Sequence, residues 1–142
     1  MESPALSVVL VNRQRRPVHP ARLRRVLRGA ARALRVRGEI AVVLRGDRAV
    51  QTLNARYRHK DKPTDVLSFP GPGGDEGLGD VVISVETAER NARSLGRTVP
   101  QELEVLALHG LLHVLGHDHE TDDGTMDRLE RRLRRRLLGR AS

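Results

Sequence analysis

No stretch of this chain constrains its fold more than His109-Gly110-Leu111-Leu112-His113-Val114-Leu115-Gly116-His117-Asp118-His119. It ends a run from Gln101 to Leu115 whose apolar residues, Leu103, Leu106, Ala107, Leu111, Leu112 and Leu115, recur at helical spacing. On a helix, His109 and His113 leave the same face one turn apart. Gly116 predicts the stop, because glycine readily takes the left-handed backbone conformation that closes helices. The chain reverses there, and His119 can swing back towards the first two histidines. Three converging neutral imidazoles suit one catalytic zinc per chain, which commonly takes three protein ligands and keeps a fourth position for water. The candidate metal ligands are therefore His109, His113 and His119, with His117 as a further candidate that would close the site.

The spacing, His-x3-His-x2-Gly-x2-His, is that of the long zinc motif of metzincin peptidases. Those enzymes carry a Glu directly after the first His as general base. Here that position is Gly110, which has no side chain. The expected metal scaffold is present without the peptidase base. Four of the six histidines crowd into this segment, which argues against ordinary helix-surface histidines. A structural zinc fits less well, since such sites are usually closed four-ligand sets rich in Cys and the chain has none.

With 142 residues the chain is expected to form a single domain, spanning 1–142, large enough to bury its own core. Tyr57 and Phe69 are its only aromatic residues, so that core must come from Leu, Val, Ile and Ala. The absence of Cys removes disulfides and thiolate metal sites. No apolar run approaches a membrane span, and Met1-Glu2-Ser3-Pro4 lacks the basic and apolar regions of a signal peptide. The expected compartment is the cytoplasm, with no membrane partner. The net charge of +8 favours a polyanionic partner, nucleic acid being the commonest.

Leu6 to Val11 reads as a strand, and Pro20 opens a helix to about Val36 that Gly38 stops. The arginines of that helix, Arg22, Arg24, Arg25, Arg28, Arg32 and Arg35, read mainly as a solvated face whose stems cover apolar neighbours. Ile40 to Leu44 is a second strand, and Asp47 is the expected cap of a helix to about Tyr57. The next helix end and loop concentrate Arg56, Arg58, Lys60 and Lys62, which fits either anion recognition or a solvated charge run. Val66 to Phe69, ended by Pro70, and Leu78 to Ser84 are strands able to form a hairpin across the Gly-rich loop 71–77. Asp80 either orients a metal-bound His or merely satisfies backbone. Three helices complete the chain: Val85 to Leu95, the histidine helix from Pro100, and one capped by Asp123 or Thr125 that runs to about Leu138 with Arg128, Arg131, Arg132, Arg134, Arg135 and Arg136 on its outer faces. This order predicts an α+β fold, one roughly four-stranded mixed sheet packed with about five helices.

Two long motifs give the chain a resemblance to the YbeY-type endoribonucleases, a family of bacterial rRNA maturation factors. The family signature His-Gly-x-Leu-His-Leu-x-Gly-Tyr-Asp-His is similar to His109 to His119, with Val114 in place of Leu and His117 where Tyr is common. A second signature, Leu-Asn-x-x-Tyr-Arg-x-Lys-Asp-x-Pro-Thr-Asp-Val-Leu-Ser-Phe-Pro, is matched from Leu53 to Pro70, and the Leu78–Ser84 strand fits as well. The resemblance extends from about Leu6 to Leu138. It implies zinc ligands at His109, His113 and His119, and a functional arginine at Arg58 that holds a phosphate or stabilises its charge. It further implies a cytoplasmic protein that acts on rRNA, including the 3′ end of small-subunit RNA, in ribosome maturation and quality control. The implied partners are rRNA, small-subunit particles and other ribosome-maturation proteins.

The expected reaction is metal-assisted cleavage of a phosphodiester, in which Arg58 stabilises charge on the non-bridging oxygens. With Gly110 offering no base, the proton acceptor is open among His117, Asp118, Glu120, Asp61 and Asp80, with the RNA's own 2′-hydroxyl chemistry as the alternative. Two other classes stand beside this one. One is a metzincin-like peptidase or other zinc hydrolase; the other is a ribosome-assembly binding factor with a structural metal.

Overall fold

The computed structural model describes residues 6–73, 77–116 and 124–138. Strand β1 (Leu6–Asn12) leads through helix α1 (Pro20–Leu34) to β2 (Gly38–Arg45), and α2 (Asp47–Arg58) leads to β3 (Val66–Pro70) and β4 (Gly79–Ser84). Helices α3 (Val85–Leu95), α4 (Val99–Val114) and α5 (Thr125–Leu137) follow. The sheet order is β1-β2-β4-β3. β1, β2 and β4 run parallel, and β3 pairs antiparallel with β4 at the edge, Leu67 opposite Val82. The expected mixed four-stranded sheet with five helices is the one observed.

Alternation along the strands sorts the two faces. Leu6 and Val8 of β1, Ile40, Val42 and Leu44 of β2, and Val81 and Ile83 of β4 form one core with α1, α4 and α5. Val50 of α2, Leu67 and Val82 form a smaller cluster on the other face, against which Val43, Leu53 and Phe69 pack. Nearly every residue of α4 from Gln101 to Val114 is buried, so this helix is the spine against which the rest is assembled. The Thr98 hydroxyl accepts from the Gln101 N–H at 3.2 Å while the Gln101 side chain accepts from the Thr98 N–H at 2.8 Å, a reciprocal cap that fixes where α4 begins.

Three local expectations are corrected. α1 stops at Leu34 rather than Val36, because Arg35 itself takes the left-handed conformation (φ 57°) and the Val36 N–H reaches back to Ala31 O at 2.9 Å. Gly38 is consequently the first residue of β2 and not a helix stop. Asp47 is not a cap: Gly46 holds that position, and the Asp47 carboxylate turns to β4 and α3. There it accepts from Ser84 Oγ (2.5 Å), Thr87 Oγ1 (2.6 Å) and Arg90 Nη2 (2.7 Å). Gly124 precedes α5, while Asp123 lies outside the described residues.

The β3–β4 hairpin forms as expected. Gly79 must be glycine: its φ is +149°, and a Cβ there would stand 2.4 Å from the Phe69 carbonyl oxygen.

Candidate functional site

The two motifs meet across one cavity of about 410 Å³. Its walls include Asn54, Arg58, Lys60, Lys62 and Ser68 on one side and His109 and His113 on the other. The basic loop was open to a solvated reading from sequence; in the structure three of its four cations line the same cavity as the histidine pair. The fourth, Arg56, lies over the Tyr57 ring with its guanidinium carbon 5.9 Å from the centroid.

Local chemistry holds that loop in place. His59 adopts the left-handed conformation (φ 57°) at the end of α2, and the Lys60 N–H bonds Asn54 O at 3.3 Å. Buried Asn54 then sends its side-chain amide to Lys62 O at 3.0 Å, and Gln51 Nε2 donates to Asp61 Oδ1 at 3.1 Å. The loop is thus folded back over its own helix. Asp61, a candidate proton acceptor, is exposed and engaged by Gln51.

The histidine wall is equally constrained. His109 Nε2 and His113 Nε2 face each other at 3.1 Å. Glu130, buried on α5, places Oε1 2.6 Å from His109 Nδ1. An ionised carboxylate can only accept, so Nδ1 carries the proton and Nε2 keeps its lone pair for a ligand. Two nitrogens sharing a tetrahedral zinc at about 2.0–2.1 Å each would stand roughly 3.3 Å apart. The pair fits such an ion to within a few tenths of an ångström, and the carboxylate behind His109 is the usual support for a metal-bound imidazole. Among the described residues no group of three or more potential ligands gathers; His117, Asp118, His119 and Glu120 lie outside them.

Glu130 was missed from sequence. Its signal was an acid at helical spacing between Met126 and Leu133, two residues that line the buried side of α5. Asp80, weighed for that role, is exposed on the opposite face of β4 from Val81 and lines a separate recess with Glu39, Ala41, Phe69 and Pro70.

Gly110 has a steric explanation. A Cβ on it would meet Val81 Cγ1 at 2.4 Å, so this side of α4 presses directly on β4. The residue after the first histidine faces the sheet, and no side chain fits there to serve as a peptidase-type base. Ser68 Oγ donates to the Gly110 carbonyl at 3.2 Å, tying β3 to the helix turn between the two histidines.

Several known proteins with related sequences share a description. The sequence model of the family described as endoribonuclease YbeY matches residues 10–138. A protein of that description from Aquifex aeolicus is 42% identical over 138 residues, covering 94% of this chain and 91% of the relative. One from Koribacter versatilis is 46% identical over 108 residues, with 76% and 70% covered. One from Solibacter usitatus is 50% identical over 95 residues, 67% of this chain; the chain spans 63% of that relative, just under two thirds. The solution structure of the Thermotoga maritima protein TM1509 shares the fold, with a TM-score of 0.64 at 23% identity over 93% of this chain and 89% of the other.

Proposed function

The chain belongs to the endoribonuclease YbeY family, and from that premise we propose a metal-dependent endoribonuclease whose cleft is the cavity between the basic loop and the histidine pair. One observation carries the reading: Arg58, Lys60 and Lys62 line the same cavity as His109 and His113. Phosphodiester cleavage needs both halves. Cations must hold the phosphate and stabilise the charge that builds on its oxygens, and Arg58 suits this because its planar fork matches two oxygens at once. The lysines add less directional charge and draw the backbone into the cleft.

His109, His113 and His119 would hold one zinc ion, which when bound supplies a Lewis acid for the phosphate oxygen or lowers the pKa of its water. Glu130 keeps His109 in the tautomer that presents Nε2, and Ser68 fixes the helix turn relative to the strand that borders the substrate. Gly110 takes no proton. The acceptor is left among His117, Asp118 and Glu120, unless cleavage proceeds by the substrate's own 2′-hydroxyl chemistry. The tight Gly110–Val81 approach also weighs against the peptidase alternative.

The substrate proposed is rRNA, including the 3′ end of the small-subunit RNA, within maturation and quality control in the cytoplasm, with ribosomal particles and maturation proteins as partners. The +8 net charge supports a polyanionic substrate, and no helix among the described residues is long and apolar enough to cross a membrane. The test is cleavage of a small-subunit 3′ precursor by zinc-loaded protein beside Arg58→Ala and His113→Ala, each checked for folding. Cutting by wild type and not by folded variants supports the reading. No cutting by folded wild type, alone or on ribosomal particles, would leave an assembly factor.

A further inference from the structure

We propose that the outer stripe of α1 is a second RNA-binding surface, which grips the phosphodiester backbone flanking the segment in the cleft; it rests on the ribonuclease reading above. Arg24, Arg25, Arg28 and Arg32 follow one another at helical spacing opposite the buried face of Leu23, Val26, Leu27 and Ala30. Together with Ala21 they line a shallow groove of about 360 Å³. α1 contains no Asp or Glu. Its remaining arginine, Arg22, is taken by buried Glu104 at 2.6 Å, whereas none of the four stripe arginines has a carboxylate partner among the described residues.

Helix stability does not account for this arrangement. Cations in the first turns oppose the helix dipole, and like charges three and four residues apart repel one another. Coverage of apolar neighbours needs long stems and not four positive ends. An anionic strand laid along the groove relieves both strains. From Arg24 to Arg32 the helix rises about 12 Å, a length over which one strand of a duplex presents roughly three to four phosphates. Guanidinium forks match those oxygens two at a time. Leu137 of α5 fills the space that Gly29 leaves on α1, and Arg132 and Arg136 of α5 are both exposed.

The surface lies apart from the cleft. α1 connects β1 and β2, whereas the cleft opens on β3 at the other edge of the sheet. Three strand spacings, about 14 Å, separate those edges. An RNA that fills only the cleft cannot reach the stripe, whereas a long precursor can.

The experiment replaces all four stripe arginines together (Arg24→Gln, Arg25→Gln, Arg28→Gln, Arg32→Gln), keeping the stems and the helix. Binding of a long small-subunit 3′ precursor is measured by anisotropy across 50 to 200 mM salt, and cleavage is compared between that RNA and an oligonucleotide sized to the cleft. The expected result is a log–log salt slope shallower by about 2–4, since each of the three to four lost phosphate contacts contributes roughly 0.7 on a single strand to 0.9 on a duplex. KM for the long RNA rises at least tenfold, while cleavage of the short oligonucleotide is unchanged. The variant melts no lower than wild type. An unchanged salt slope overturns the proposal, as does equal weakening on both substrates or loss of binding to anionic vesicles with RNA binding intact. Failure of the ribonuclease reading shows elsewhere, as Arg58→Ala cutting the short oligonucleotide normally; the slope decides the stripe whether or not the RNA is cut.

Discussion

Glu130 Oε1 lies 2.6 Å from His109 Nδ1, joining α5 to the histidine helix through a buried carboxylate–imidazole contact. Because it selects the tautomer of a proposed ligand, Glu130→Gln is expected to lower zinc affinity about 10- to 100-fold while preserving side-chain shape. Competition with a chromophoric chelator measures this directly. Equal affinity in the variant would show that His109 is oriented without the carboxylate.

Gly110→Ala sets two effects against each other. Helix propensity favours Ala by about 1 kcal/mol, but the new methyl would stand 2.4 Å from Val81, a fully buried residue on a central strand. Overpacking of this kind costs about 1–3 kcal/mol, so the net expectation is a loss on the order of 1 kcal/mol and a lower Tm. A rise in Tm would mean that β4 yields easily.

Asp47 ties stability to acid pH. Burial pushes its carboxyl up, but hydrogen bonds from Ser84, Thr87 and Arg90 and the Arg90 charge outweigh burial and bring it from 3.8 down to about 2. A depressed carboxylate stabilises the fold fully above its unfolded value and ceases to do so as pH falls from 3.8 through about 2. Its side chain is 28% exposed, so the contribution is discounted to about 1–2 kcal/mol. Asp47→Asn should lose that amount at pH 7 and almost nothing at pH 2. Denaturant melts at the two values test it, and an equal loss at both would place the effect in packing.

Asn54→Ala removes the amide that holds the Lys62 carbonyl. Loss of one buried hydrogen bond is expected to cost about 1–3 kcal/mol of stability, and the loosened loop should raise KM for RNA. The salt dependence of binding should persist, since no charge is removed. A shallower salt slope would mean that the lysines no longer reach the substrate.

Much of this architecture was legible because period and punctuation agree. The apolar spacing of α4, the proline at its start and the glycine after it specify one helix and the face from which His109 and His113 project, whereas the Thr98–Gln101 cap emerged only in the structure. What escaped depended on contacts distant in sequence. Glu130 and His109 are 21 residues apart, and only the packing of α5 shows them to be partners. Gly110 could be read as a missing base but not as a close approach, because Val81 belongs to another strand. The basic loop was ambiguous for the same reason: its charges acquire a direction only when Asn54 folds it towards the histidines. His119 lies outside the described residues.

The core contains no tryptophan, and the two aromatic rings of the chain meet edge to face, Tyr57 and Phe69, with centroids 5.7 Å apart. Tyr57 is 57% exposed and immediately precedes Arg58. Ultraviolet spectroscopy of this protein therefore reports on one helix end beside the cleft and is nearly blind to the rest of the molecule. A change in tyrosine emission when RNA is added would be a label-free signal of cleft occupancy. Global unfolding has to be followed by the backbone's own circular dichroism.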